Sequence, residues 1–260
     1  MTHELPSQAA FDFAINVGQS YSALIERADR GAGLAGKLFY AGQLDELGRA
    51  LVVAANITGA ATLVASDDRD AQKRALRDGV ADFLVNSLDE ALRILKNQLR
   101  KRETVSVCIS LAPTIVESEM RERGVQPDLL RHNLAIAPRH EALMLQEGEA
   151  AELDLRMIPA IVTWRVESDL PRELAKLDEI ALACLDEDEW VERRWLRLAP
   201  RYMGRLAGGL RLIASHRDFA ARFSERLRAA RERGETEFAF EVCSYFRGIQ
   251  ERFRFDSDQE

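Results

Sequence analysis

Short apolar runs alternate with amphipathic stretches between residues 36 and 133 of the chain. The runs are KLFYAG at residues 37–42, ATLVAS at 61–66, ADFLVN at 81–86 and VSVCIS at 105–110, with a weaker run at 127–131. Short runs rich in β-branched and aromatic residues, separated by helical stretches, predict β-strands. Parallel strands need a crossover, and a helix is the usual one. The pattern therefore predicts an α/β fold with an open parallel sheet of about five strands.

Helical spacing of apolar residues predicts helices at residues 7–31, 44–58 and 88–102. The second of these is apolar on most sides, which indicates a buried helix. Ser87 and Glu90 have the spacing of a capping box at the start of the third helix.

The pattern changes after residue 133. Residues 134–169 contain short apolar stretches, at 142–145 and 158–166, that predict extended segments. Residues 170–260 have helical spacing almost throughout and predict a helical C-terminal segment, with breaks near residues 186–188, 200, 215 and 234. The predicted organisation is a sheet domain at residues 1–133, an extended linker at 134–169 and a helical domain at 170–260.

Composition narrows the classes of function. A chain of 260 residues with 47% hydrophobic and 30% charged residues is typical of a soluble globular protein, and no apolar stretch approaches the roughly 20 residues of a membrane helix. The N-terminus lacks a secretory signal pattern, so we expect a cytoplasmic protein with no membrane partner. The net charge of −7 argues against general nucleic-acid binding. Cys108, Cys184 and Cys243 lie in apolar contexts and are predicted to be buried free thiols.

Candidate ligand-binding residues lie where the predicted strands end, because open parallel sheets bind ligands at the carboxyl ends of their strands. Gly42 closes the first strand, and Gly48 lies in the following helix. Glycines in such a loop let helix N-terminal amides approach a phosphate, but Asp45 and Glu46 stand where those amides are needed. Acidic residues in the first turn of a helix also stabilise it by interacting with the helix dipole. We favour this structural interpretation of Asp45 and Glu46.

Serines close two further strands. Ser66 is followed by Asp67, where a nucleotide-binding sheet often carries a ribose ligand, and Ser110 ends the fourth run. The sequence Ser-Asp-Asp at residues 66–68 is also typical of a loop that ends in a helix N-cap, and this is the interpretation we favour.

Arg131 and His132 follow the last run and form the most site-like polar cluster of the chain. The imidazole is a candidate acid, base or ligand, or else a solvated side chain. His140 and His216 lack the spacing of metal ligands, so we predict no metal site.

Residues 35–128 resemble the NAD-binding Rossmann-like domain of the urocanase (urocanate hydratase) family. The resemblance rests on motifs in a consistent order: NVGQSY at residues 16–21, GKLFYAG at 36–42, ITGAA at 57–61, SLDEAL at 87–92, VSVCIS at 105–110 and RGVQPD at 123–128. It implies a Rossmann-like fold and an inherited scaffold, with NAD as the family's cofactor.

The chain departs from that family at positions that matter for activity. The family's glycine loop is much richer in glycine than residues 42–48, and its acidic residue at the end of the second strand is here Ser66. The family continues after RGVxPD with the active-site sequence DQTSAHDP, whereas this chain continues with LLRHN at residues 129–133. The resemblance therefore does not imply hydration of urocanate.

Arginines recur at helical spacing between residues 193 and 233, with Trp190, Trp195 and Tyr202 among them. Guanidinium groups suit phosphates and carboxylates because they bind both oxygens at once. The simpler account is a solvated face, or pairing with the acid-rich segment at residues 178–192. We favour the simpler account, and binding of an anion stays open.

Two hypotheses of function follow. In the first, a urocanase-related protein without urocanase activity binds an anionic small molecule or nucleotide at the strand ends. Its candidate contacts are Gly42, Gly48, Ser66, Asp67, Ser110, Arg131 and His132. In the second, the chain is a non-catalytic assembly or interaction module on the same scaffold. Apolar residues of the C-terminal helices are expected to form the contact with the sheet or a homodimer interface, and we expect a homo-oligomer. The residues do not decide whether the protein is an enzyme, nor whether NAD, the cofactor that the resemblance implies, still binds.

Overall fold

The computed structural model describes residues 8–136, 160–166, 171–204, 206–246 and 249–255. The chain divides into two compact units, one of residues 16–136 and one of residues 1–15 with 137–260. We call them the sheet unit and the C-terminal unit and describe each separately. The first helix, α1 (Gln8–Ile25), contributes residues to both.

The sheet unit alternates strands and helices along the chain. Its elements after α1 are β1 (Leu38–Gln43), α2 (Glu46–Thr58), β2 (Ala61–Ala65), α3 (Arg69–Arg77), β3 (Phe83–Val85), α4 (Leu88–Lys101), β4 (Val105–Ile109), α5 (Pro113–Glu122), β5 (Leu129–Leu130) and the 3₁₀ turn Arg131–Asn133. The strands pair in parallel in the order β3-β4-β2-β1-β5. This confirms the predicted open parallel sheet of five strands.

The sheet is buried on both faces, which explains why its strands are almost wholly apolar. On one face, Leu63 and Val107 pack with Leu88 and Leu95 of α4 and with Met120 of α5 in one hydrophobic cluster. The helix α2 contacts β1 and β2 and is buried along most of its length, as its apolar sequence predicted. Packing on both faces fixes where the loops after the strands emerge.

Helix caps explain where several elements begin. Ser87 caps α4 by accepting a hydrogen bond from the Glu90 N–H, and Glu90 accepts in return from the Asn86 N–H at 3.0 Å. The predicted capping box is therefore confirmed, although the carboxylate reaches one residue further back than in the usual pattern.

The C-terminal unit is an antiparallel sheet with helices. Its elements are β6 (Ala160–Val166), α6 (Pro171–Ala183), α7 (Trp190–Met203), β7 (Arg211–Ser215), α8 (Arg217–Glu232), β8 (Phe240–Phe246) and β9 (Ile249–Phe255). The four strands pair in the order β7-β6-β8-β9. The helices α6 and α8 contact this sheet, and Phe223 of α8 packs edge-on against Trp164 of β6 with ring centroids 5.1 Å apart.

The sequence-based prediction for this unit is wrong in part. Three helices lie in the segment predicted as helical, but β7, β8 and β9 are strands, and α7 continues through Pro200 without a break. Arginines at residues 211, 252 and 254 give the strands the same charged pattern as the neighbouring helices. Pairing with strands that are distant in sequence decides the structure of these segments, against the local pattern. The predicted extended run at 158–166 is confirmed for residues 160–166, which form β6, whereas residues 158–159 and the run at 142–145 lie outside the described residues.

All three cysteines are free and buried, as predicted. Burial raises the pKa of the Cys108 thiol to about 12 and that of Cys184 to about 11. Neither thiol is therefore a candidate nucleophile at neutral pH. Within the described ranges, no helix is long and apolar enough to cross a membrane.

Candidate functional site at the carboxyl edge of the parallel sheet

Parallel pairing brings the carboxyl ends of the strands to one edge of the sheet. Gly42 lies near the end of β1, Ser66 follows β2, Ser110 follows β4, and Arg131 follows β5. β2 leads through α3 towards β3 on one side of the sheet, whereas β4 leads through α5 to β5 on the other. The neighbouring strands β2 and β4 therefore form the topological switch point, the usual position of a ligand crevice.

A side-chain amide closes the crevice between β2 and β4. The Gln72 side chain of α3 is 4% exposed, and its Nε2 donates to the Ser66 carbonyl oxygen at 2.6 Å and to the Ser110 Oγ at 3.0 Å. The Ser66 Oγ accepts in turn from the Asp68 N–H at 3.2 Å. The structure thus brings Ser66 and Ser110 together, but their polar groups bind Gln72 and the Asp68 backbone.

A second cluster lies at the ends of β1 and β5 and begins with two glycines. Gly42 has a φ of +72°, which favours glycine, at a point where the pairing register of β1 shifts. Gly48, in the first turn of α2, lies so close to the strand that a Cβ there would lie 1.9 Å from the Gln43 carbonyl oxygen. Both glycines are therefore required by the backbone path from β1 into α2.

Asp45 occupies the centre of this second cluster. As the N-cap of α2, its Oδ1 accepts a hydrogen bond from the Gly48 N–H at 2.6 Å. The guanidinium of Arg131 binds both carboxylate oxygens, with Nη1–Oδ1 and Nη2–Oδ2 distances of 3.1 and 3.0 Å. Arg131 Nη1 also donates to the Gln43 carbonyl oxygen at 3.3 Å. We refer to this arrangement as the Asp45–Arg131 pair.

Two of the predicted contacts remain outside both clusters. The Asp67 and His132 side chains are exposed, and the structure gives neither a hydrogen bond to another described residue. The N-cap of α3 is Asp68, which accepts from the Asp70 and Ala71 N–H groups, and these donors lower the pKa of its carboxyl. The N-cap interpretation of residues 66–68 is therefore confirmed for Asp68.

Sequence reasoning missed the partners of its candidate residues. Gln72 lies on the buried face of α3, beside Ala71 and Ala75. A buried amide needs hydrogen-bond partners, so its place in the apolar pattern of the helix could have indicated that Gln72 binds other polar groups. The pairing of Asp45 with Arg131, across 86 positions of the chain, has no local signal.

Most of the arginines between residues 193 and 233 have structural partners. Arg211 pairs with Asp178 at 2.9 Å, and Arg222 lies 3.6 Å from Asp186 and 3.7 Å from Glu189. Arg193 donates to the Leu185 carbonyl oxygen in the loop after α6 at 2.7 Å. The simpler account is a solvated face or pairing with the acid-rich segment, and the pairing is confirmed for Arg211 and Arg222.

The loop after β1, in the conformation of the structure, does not fit the pyrophosphate of NAD. The Gly48 amide that would face a phosphate already binds the Asp45 carboxylate, and a phosphate added there would meet a like charge. No group of three or more His, Cys, Asp or Glu side chains in the described part of the chain is arranged to hold a metal ion.

Comparison with known proteins agrees with this fold. The sequence model of the protein family described as the urocanase Rossmann-like domain matches residues 19–141. The S-methyl thiourocanate hydratase of Variovorax sp. is 28% identical over 138 residues, which are 52% of this chain and 25% of that hydratase. The match thus spans about a quarter of the length of this curated relative. Residues 19–141 therefore match the urocanase Rossmann-like domain, and the described residues of this range form five parallel strands flanked by helices, as in a Rossmann-like fold.

Proposed function

We propose that this domain binds an anionic small molecule or nucleotide at the carboxyl edge of its sheet, through Arg131, without hydrating urocanate. The observation that carries the proposal is the geometry of Arg131, whose guanidinium holds both oxygens of a carboxylate at 3.0 and 3.1 Å. A carboxylate or phosphate group of a ligand presents the same pair of oxygens to the same donors.

The surroundings of Arg131 support an accessible contact. Its side chain is 27% exposed, and the exposed imidazole of His132 follows it directly on the same 3₁₀ turn. Gly42 lies beside Arg131, because a Cβ at residue 42 would stand 3.5 Å from the Arg131 Cδ. A ligand at Arg131 therefore has His132 as a candidate second contact. The absence of urocanase activity is proposed because LLRHN replaces the family's active-site sequence at residues 129–133.

We expect Arg131→Ala to weaken anion binding at least about tenfold, since a hydrogen bond to a charged group contributes about 1.5–3 kcal/mol. The measurement is a thermal-shift scan of the wild-type protein with inorganic phosphate, pyrophosphate, NAD, its phosphorylated form and small carboxylates, because a ligand that binds the folded state raises its stability. Isothermal titration of the anion with the largest shift then compares the two proteins.

Arg123→Ala is the matched control, because Arg123 also pairs with a carboxylate at the surface of the same unit, but with Asp89 and not with Asp45. It should bind the anion as the wild type does. Equal affinity of Arg131→Ala and wild type would refute the role of Arg131.

A second candidate function, an assembly module, is favoured by one observation on β3, the edge strand on the opposite side of the sheet from β5. The edge strand β3 leaves the Phe83 and Leu84 side chains 45% and 37% exposed, and Leu76 of α3 is 39% exposed. Apolar exposure at an edge strand is typical of an association surface. Absence of any anion-dependent shift, together with a dimeric mass by sedimentation, would favour this function over anion binding.

A further inference from the structure

We propose that Asp45 is a built-in competitor for the anion site: its carboxylate takes the position of an incoming phosphate group and so weakens binding of the pyrophosphate of a dinucleotide. This inference rests on the proposed function, because it assigns selectivity to the same site. It makes Asp45 the residue that decides which anions reach Arg131.

The hydrogen bonds show how completely Asp45 fills the position. Its Oδ1 receives the Gly48 N–H at 2.6 Å and Arg131 Nη1 at 3.1 Å, and its Oδ2 receives Arg131 Nη2 at 3.0 Å. Helix N-terminal amides and an arginine are the donors that bind a phosphate in open loops of this kind. In this chain the same two kinds of donor face an internal carboxylate.

Displacement of Asp45 is difficult for a dissolved ligand. The Asp45 carboxylate is tethered beside its donors, so it competes at the effective concentration of an intramolecular group. An anion that enters without displacing it meets a like charge, and Glu46 follows with a second exposed carboxylate. An anion must therefore either exchange with Asp45 at Arg131 or remain outside.

Capping of α2 does not by itself require the arginine. Asp68 caps α3 in the same position, directly after a loop that follows a strand, and its hydrogen-bond donors are the backbone amides of Asp70 and Ala71. The bidentate contact to Arg131 is thus an addition to the capping role. Serine is an equally good N-cap without the charge, which makes Asp45→Ser a clean way to remove the competitor.

The test is isothermal titration of pyrophosphate, and of NAD, into wild type, Asp45→Ser and Asp68→Ser at low ionic strength. We expect Asp45→Ser to bind pyrophosphate at least about tenfold more tightly than wild type, because one like charge near the ligand is removed. Asp68→Ser, which removes a cap charge at the other helix, should match the wild type. Asp45→Asn serves in the same way should Asp45→Ser fail to fold.

The outcomes separate this inference from the proposed function. Binding by wild type with no gain in either Asp45 variant would overturn the competitor role and leave the proposed function standing. Binding by the Asp45 variants but not by wild type would support the competitor role, and the scan of the wild type with phosphate and small carboxylates decides the proposed function separately. No binding of pyrophosphate or NAD by any of the proteins would overturn the competitor role.

Discussion

Gly48→Ala is expected to destabilise the sheet unit by about 3 kcal/mol, the upper range for forcing extra atoms into a packed site. The added Cβ would lie 1.9 Å from the Gln43 carbonyl oxygen and 3.1 Å from the Asp45 Oδ1. A backbone oxygen cannot turn aside as a flexible side chain does, so α2 must move away from the end of β1. The movement also carries the Gly48 N–H away from Asp45, and we therefore expect the Asp45–Arg131 pair to loosen.

Hydrogen exchange of peptides from β1 and α2 measures this effect locally. The control is Gly79→Ala, because an added Cβ at Gly79 meets nothing within 4 Å, and the substitution acts only through the φ of +72°. That substitution should cost about 1–2 kcal/mol of backbone strain without a steric clash. Protection of α2 in Gly48→Ala equal to that in wild type would show that the close approach of α2 to β1 is wrong.

Asp178→Asn is expected to destabilise the C-terminal unit by about 3 kcal/mol, since removing one partner of a buried ion pair strands the other charge. The Asp178 carboxylate accepts from Trp164 Nε1 and from Arg211 Nε, each at 2.9 Å, and the two charged side chains are each 16% exposed. Asparagine keeps an acceptor for the indole N–H but leaves the buried guanidinium without a counter-charge.

Burial raises the pKa of Asp178, and Arg211 and Trp164 offset this increase only in part. Asp178→Asn with Arg211→Met removes both charges together, so neither is stranded, and it should recover most of the loss. All three tryptophans lie in the C-terminal unit, so fluorescence during denaturant unfolding reports on it. A double variant as unstable as the single one would contradict this account.

The strands of the sheet unit were predictable because burial on both faces makes them short apolar runs, and the capping box at Ser87 and Glu90 is a local signal. The strands β8 and β9 were missed because their arginine and glutamate residues resemble a helical face, whereas cross-strand pairing decides their structure. The sheet edge was predicted to gather Gly42, Ser66, Ser110 and Arg131, but what each of these side chains binds depends on Gln72 and Asp45, whose contacts form only in the folded chain.

Arg131 and the first turn of α2 form the proposed anion site. Titration of ¹⁵N-labelled protein with pyrophosphate, followed through the Gly48 amide and the Arg131 Nε–H resonances, tests it most directly. The Gly48 N–H now donates to Asp45 at 2.6 Å, so exchange of that carboxylate for a phosphate must shift its resonance. We predict saturable shifts at Gly48 and Arg131, with half-saturation at a lower pyrophosphate concentration in Asp45→Ser than in wild type. Shifts confined to other parts of the chain, with Gly48 and Arg131 unmoved in both proteins, would contradict the account.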